Sequence, residues 1–389
     1  MKRRTPGKMS DSRANSVKRW TMACLLLAAA MLAAYSSSAQ GRIPWRLGRS
    51  ANQKNTYVGE TACMKCHRDI AAKYARSAMS RALTPGTECE TLRSRVPLAF
   101  TLHGVTYRIE RAESGFSYTL TNGRETLTMP LLWCFGEGVA GITFVVLYEG
   151  VYYETRVSYF SSFGGLEITP GQTREASPSL KAAIGQPQSN ADVVGCFTCH
   201  STPLPQSTGV AFEQFLPSIR CEACHGPGSA HLAAQGSDDL NTIRQAIFNP
   251  ARLSPDEMNQ ILCGACHRSW DTVMQLPNHG GAANVRFQPY RLANSACYLD
   301  PNDSRIACIA CHDPHGPLVR EIRTYDAKCL ACHQGGESAG ATPAKERTEP
   351  ACPKAVRDCV SCHMPKIEPA GLFFKFTDHH IRIVRPGDP

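Results

Sequence analysis

The sequence predicts an α+β chain with much irregular structure, in which an array of loops and short helices is joined to a small antiparallel β module. Three observations carry that prediction. The pattern Cys-x-x-Cys-His occurs seven times, at Cys63/Cys66/His67, Cys196/Cys199/His200, Cys221/Cys224/His225, Cys263/Cys266/His267, Cys308/Cys311/His312, Cys329/Cys332/His333 and Cys359/Cys362/His363. Residues 98–163, between the first and second copies, contain none of these motifs and alternate apolar with polar side chains, the two-residue period of a half-buried strand. Thirty glycines and 26 prolines suit a loop-rich wrapper.

The motif itself carries the chemistry. Cys-x-x-Cys-His is the attachment site of c-type haem. Its two thiols add to the porphyrin vinyl groups, and the histidine that follows is placed under the iron as proximal ligand. Zinc would use such cysteine pairs in complementary twos and would leave the next residue free to vary. Seven is odd, and a histidine follows every pair. A disulfide framework belongs to short chains and has no use for the histidine. The motifs use 14 of the 19 cysteines, so the expected cofactors are seven covalently attached haem c groups. About 350 residues follow the leader, roughly 50 for each motif, so much of the core should be porphyrin. The second half of the chain is then a haem-packed array.

In chain order, residues 1–39 read as a signal peptide. Lys2, Arg3, Arg4, Lys8, Arg13, Lys18 and Arg19 form a basic n-region, Met22 to Ala34 an apolar run, and Ser37-Ser38-Ala39 a small-residue cleavage site. The run is short for a membrane span. Export to the periplasm or cell surface fits haem c, which is attached outside the cytoplasm. Residues 40–97 form a first haem-binding segment, with helical composition from Arg68 to Leu83 and Met79 on it. Residues 98–163 are the β module of five or six strands, with Asn122-Gly123 and Glu149-Gly150 as turns. Residues 164–190, rich in Gly, Pro, Ser and Gln, read as a linker. Residues 191–389 form a six-haem domain. The formal charge of +9 includes the leader and omits the haem propionates, so it gives no reason to expect a nucleic-acid partner.

Six of the 13 histidines lie outside the motifs: His103, His231, His279, His315, His379 and His380. His231 follows the Gly226-Pro227-Gly228 turn and is free to reach an iron. His315 lies too close to His312 to cap the same iron and would serve a neighbouring haem. His231, His315, His379 and His279 are the candidate distal ligands. His103 falls on a strand, and His380 is crowded by His379. Beyond the leader, Cys89, Cys134, Cys297 and Cys352 remain as free thiols or as one or two disulfides, with Cys89–Cys134 and Cys297–Cys352 nearest in sequence.

Several stretches together resemble the periplasmic multihaem cytochromes c: Tyr57-Val-Gly-Glu-x-x-Cys-x-x-Cys-His67, Cys221-Glu-x-Cys-His-Gly-Pro-Gly-Ser-x-His231, Cys308-x-x-Cys-His-Asp-Pro-His315, and Cys359-x-x-Cys-His-Met-Pro365 with Phe376-Thr-Asp-His379. The closer resemblance is to the branch that includes the tetrahaem cytochrome of ammonia oxidisers. It covers the first motif and nearly all of 196–383, and leaves out the β module. It implies closely packed, mostly low-spin haems in stacked and perpendicular pairs that pass single electrons. Relatives that reduce nitrite often carry Cys-x-x-Cys-Lys at the open haem, a variant this chain lacks.

The leading expectation is an exported multihaem electron-transfer protein with mostly bis-histidine irons. Its partners would be redox proteins, namely a quinol-oxidising complex, a reductase or other cytochromes, with association to a membrane or surface complex also open. The alternative is an oxidoreductase with one open haem acting on a small nitrogen compound or a similar substrate, with the Cys63 site beside the β module and His103 or Tyr107 near it. A third reading makes the chain a subunit of a surface electron conduit.

Overall fold

The computed structural model describes residues 55–202, 215–277, 281–299, 305–333 and 357–388. The leader, His279 and Cys352 lie outside them. Within them the protein is α+β, with long irregular connections. Two short helices open the described chain, α1 (Glu60–Met64) and α2 (Arg68–Tyr74). They are followed by ten strands of one antiparallel sheet: β1 (Leu83–Pro85), β2 (Leu98–Leu102), β3 (Val105–Ala112), β4 (Gly115–Thr121), β5 (Thr126–Phe135), β6 (Gly141–Tyr148), β7 (Val151–Thr155), β8 (Val157–Phe160), β9 (Gly165–Ile168) and β10 (Gly185–Gln188). The main path runs β10-β7-β6-β5-β4-β3-β2, with β1 on the end of β5 and β8-β9 branching from β6.

Strand alternation builds the sheet's core. Along β4 the buried residues are Phe116, Tyr118 and Leu120, every second one, so one face is apolar and the other meets solvent. Tyr107 of β3 pairs with Leu120, and Ile109 with Tyr118. Phe144 and Val146 of β6 and Tyr159 of β8 join the same core. Two tight turns have both central residues at positive φ, His103-Gly104 (48° and 77°) and Glu149-Gly150 (49° and 77°). That geometry matches the twist of the strands it connects.

The sheet outgrows the expected 98–163. β1 pairs Thr84 with Cys134, ahead of the module. The stretch 164–190, which composition marks as a linker, contributes β9 and β10, the latter pairing Gln186 with Glu154. β10 then runs almost directly into α3 (Asn190–His200), whose start is closed by a reciprocal capping box between Ser189 and Asp192. Further on come α4 (Cys221–His225), α5 (Ser229–Ala234), α6 (Gly264–His267), α7 (Gln288–Leu292), α8 (Cys308–Cys311), α9 (Asp326–His333) and α10 (Cys359–His363). A π-helical turn, Glu257–Cys263, leads into α6. No helix among the described residues is long and apolar enough to cross a membrane.

The β module meets the array at the second motif. Trp133 and Phe135 of β5 pack edge-on against Phe197 of α3, with centroids 5.2 and 5.6 Å apart. Leu83, Val193 and Phe215 complete this small second core.

Candidate haem centres

All seven motifs sit on or beside one helical turn, and that explains their spacing. Residues three and four apart share a helix face, so both thiols and the following imidazole leave the turn on one side. Zinc would need about four converging ligands. Among the described residues no group of three or more His, Cys, Asp or Glu side chains is arranged to hold an ion.

What the structure does assemble is histidines in facing pairs. His67 faces His231 with ring centroids 6.4 Å apart, His225 faces His315 at 5.9 Å, and His312 faces His379 at 6.1 Å. A metal bound by two opposed imidazoles at about 2.0–2.1 Å to each nitrogen separates their centroids by about 6.3 Å. The spacings therefore fit an iron carried on a porphyrin between the rings. Each pair joins one motif histidine to one histidine outside the motifs.

Ring orientation agrees. His225 Nδ1 lies 3.0 Å from Phe248 O, His231 Nδ1 2.9 Å from Ile243 O, and His379 Nδ1 3.0 Å from Thr377 O. His200 Nδ1 makes the same contact with Ala82 O at 2.9 Å, and His363 Nδ1 with Arg382 O at 2.9 Å. An Nδ1–H given to a carbonyl fixes the tautomer and leaves Nε2 with a lone pair for a metal. In His231 that nitrogen accepts a long bond from the Gln235 amide, at 3.2 Å. Burial pushes His200, His225 and His312 below the usual imidazole range and takes His379 down to about 4. Desolvation disfavours the charged ring, so these imidazoles stay neutral, the form that binds metal.

Three polar side chains outside the Cys and His positions cap the helix of another motif. Glu222, inside the third motif and 2% exposed, accepts from the backbone N–H groups of Val58, Gly59 and Gly228, each at 2.9 Å. Val58 and Gly59 are the N-terminal entry to α1, so a side chain of α4 caps the helix of the first motif. Asn259, fully buried in the turn before the fourth motif, accepts from Cys308 N at 2.8 Å and donates to Ile306 O at 3.0 Å, capping α8 of the fifth. Asp326, at the start of α9, accepts from Asp358 N and Cys359 N at 2.8 and 2.9 Å, capping α10 of the seventh. Backbone N–H groups at a helix start have no partner within the helix. Here a neighbouring motif supplies it each time.

The thiols follow the same pairing. Cys63 lies beside Cys221, Cys263 beside Cys308, and Cys329 beside Cys359. Cys199 touches Cys266, which brings the second motif to the fourth. Cys224 lies within electrostatic reach of Cys263 and Cys266, and Cys311 of Cys329 and Cys332. All seven motifs thus form one contiguous set.

Within four motifs the two cysteines differ in exposure. Cys66, Cys311, Cys332 and Cys362 are exposed, whereas the first cysteines of the same motifs, Cys63, Cys308, Cys329 and Cys359, are partly covered. The contacts between motifs account for the difference. Cys63, Cys308, Cys329 and Cys359 are the members that meet a thiol of another motif, so each turn covers its first cysteine and presents the second to solvent. Cys66 stands beside the exposed Lys65, and Cys362 Sγ lies 3.9 Å from Ser361 Oγ on an exposed turn. Cys66 and Cys362 thus lie at the rim of the array. A thiol on the rim is open to a porphyrin, and attachment there belongs to the proposal below.

The other residues singled out in the sequence find these places. His315 gives its backbone N–H to Asp313 at 2.8 Å, and Asp313 pairs with Lys73 of α2. His200 is covered edge-on by Phe135, centroids 5.3 Å apart, so the β module lines the second motif. The expected open site at Cys63 with His103 or Tyr107 nearby is not what the structure builds. His231 faces His67, His103 sits in the β2–β3 turn with Nε2 2.9 Å from Arg174 O, and Tyr107 is buried in the sheet core. Met79 lies on a single 3-10 turn, Met79–Arg81. His380 donates its backbone N–H to Asp378. His279 lies outside the described residues. Glu222, Asn259 and Asp326 give sequence reasoning no signal to use, although Glu222 stands inside a motif.

The family model for cytochrome c554 and c-prime matches residues 169–226. No curated protein and no solved structure matches the chain. The matched stretch runs from the end of β9 through α3 to the end of α4, and so takes in the second and third Cys-x-x-Cys-His motifs. Together with the facing imidazoles, this match supports a c-type cytochrome, an electron-transfer protein with covalently bound haem c.

Proposed function

We propose that the chain is an exported, seven-haem c-type cytochrome that passes electrons along closely packed and mostly bis-histidine centres. The observation that carries the reading is the set of three facing histidine pairs. Each cysteine pair, those ending in the exposed Cys66 and Cys362 included, would hold one porphyrin by its vinyl carbons. His67, His200, His225, His267, His312, His333 and His363 would be the proximal ligands. His231, His315 and His379 would complete the irons of the first, third and fifth motifs, and His279 would complete another. Haem c, bound there, supplies a one-electron couple with no bond made or broken in a substrate.

The chain's own residues do the rest. Carbonyls of Phe248, Ile243 and Thr377 orient the imidazoles, and burial keeps His225 and His379 neutral. Glu222, Asn259 and Asp326 fix the spacing between centres, which a hopping electron requires. A distal histidine would occupy the face a substrate needs, which favours transfer over catalysis at those three centres. The leader supports export to the periplasm or cell surface, with redox proteins as partners.

The test is haem counting together with low-temperature electron paramagnetic resonance of the oxidised protein. Seven haems per chain, with at least three low-spin centres, is the expected result. Fewer haems than motifs, or high-spin signals that shift on adding nitrite or hydroxylamine and exceed the low-spin ones, would overturn it.

A further inference from the structure

The C-terminal segment 376–382 carries a buried charge cluster. Asp378 is 0% exposed and accepts four hydrogen bonds. Arg291 of α7, 7% exposed, donates through Nε and a terminal nitrogen, both at 2.7 Å. Arg382 donates at 2.6 Å and the backbone N–H of His380 at 3.0 Å. A two-pronged Arg–carboxylate contact fixes direction as well as distance, and a buried charge persists only when fully paired.

The residues around this cluster belong to two different centres. On one side is His379, next in sequence to Asp378, whose ring faces His312 and whose carbonyl accepts from Ser295 Oγ at 3.1 Å. On the other is Arg382, whose backbone O takes the Nδ1 contact of His363 at 2.9 Å and whose N–H donates to His363 O at 3.2 Å. The Asp378 N–H itself donates to Pro365 O at 2.9 Å, just after the seventh motif. One carboxylate therefore holds both ends of the span from Asp378 to Arg382.

We infer that Asp378 is a positioning residue shared by two haem centres, aiming His379 at the fifth and steadying His363 at the seventh through the Arg382 carbonyl. The inference rests on the ligand roles proposed above. A centre that lost its aim would lose its sixth ligand, whereas a centre whose Nδ1 contact slackened would keep its ligands and shift in potential.

The test compares Asp378→Asn with His379→Ala in the full, matured protein, by haem content, spin state and redox titration. His379→Ala is expected to turn one low-spin centre high-spin, with free imidazole restoring it. Asp378→Asn is expected to keep all haems and do the same to that centre, while also shifting the midpoint potential of a second one. If His379→Ala leaves every low-spin signal in place, the ligand assignment is wrong. If it converts one centre while Asp378→Asn reproduces the wild-type spectrum and potentials, only the positioning role falls. Should Asp378→Asn not accumulate, Arg291→Lys keeps the charge and loses the fork. A mixture of spin states at the same centre is then expected, and an unchanged spectrum would overturn the inference.

Discussion

Replacing Glu222 by glutamine tests whether the motifs are held together by helix capping across motif boundaries. The side chain is nearly isosteric, so packing is kept and only the hydrogen bonding changes. One carboxylate oxygen serves Val58 N and Gly228 N, and the other serves Gly59 N. An amide can keep its oxygen toward the first two, each bond falling from the charged range of about 1.5–3 kcal/mol to the neutral range of about 0.5–1.5. Its NH₂ group would then point at the Gly59 N–H, donor against donor, and that bond is lost. Because Val58 and Gly59 are partly open to water and recover some solvation there, the net cost is about 2–3 kcal/mol. At about 1.4 kcal/mol per factor of ten, local opening of segment 55–60 should be roughly 30- to 150-fold more frequent. Amide hydrogen exchange of that segment reads the opening directly. Glu60→Gln is the internal control, because the Glu60–Arg220 pair joins the same two motifs but is about one-third exposed on each side. Half-open pairs contribute about 0.2–1 kcal/mol, so exchange should rise only a few-fold. The capping account would be refuted by equal acceleration in both variants, or by none in Glu222→Gln.

Asn259→Ala removes the acceptor for Cys308 N and the donor to Ile306 O at a fully buried position, and should cost about 1–3 kcal/mol, seen as a lower urea midpoint for the second half of the chain. Phe135→Ala uncovers His200, so the midpoint potential of a single centre should fall as water reaches it, while the others hold in the same redox titration. Cys89 and Cys134 are 3% and 0% exposed and lie beside one another, so in protein matured in an oxidising compartment they should form a disulfide and resist alkylation until reduced. Peptide mapping that finds both thiols alkylated without reduction would count against that bond.

What the sequence makes legible is whatever a few neighbouring residues decide. A helical turn is enough to aim two thiols and an imidazole one way, so the seven motifs are plain, and the alternation of Phe116, Tyr118 and Leu120 announces β4. Which motif comes to lie beside which is another matter. Cys63 lies beside Cys221 and Cys329 beside Cys359, and nothing local to any of these turns foretells that. β10 is hidden because Gly185-Gln-Pro-Gln188 has no apolar side chain to alternate. It is an edge strand, paired to β7 by its backbone on one side, where proline is tolerated. β8 falls within the stretch read as strands, and Val157-Ser158-Tyr159 alternates in sequence although all four residues of the strand are buried. Nearness in the chain puts the β module beside the first motif. In the structure β10 leads straight into α3, and Phe135 ends against His200.

The same limit applies to the centres and accounts for which parts stay hidden. His231, His315 and His379 stand out as candidate ligands, since glycine and proline turns place the first two just after a cysteine pair and His379 stands in the short Phe376-Thr-Asp-His379 stretch. Their partners do not, because each faces the histidine of a different motif, and for His231 and His379 that partner is His67 and His312, far back along the chain. Glu222, Asn259 and Asp326 are harder still. Each of them binds backbone N–H groups, which every sequence offers at every position except proline. Their worth comes only from a second helix arriving with its N-terminus unpaired. The motif decides that a porphyrin can be held, but under the function proposed above an electron would travel between porphyrins, and that distance would be set by contacts with no sequence signature. Substitutions at these three capping residues should therefore disturb transfer along the array while leaving haem attachment intact.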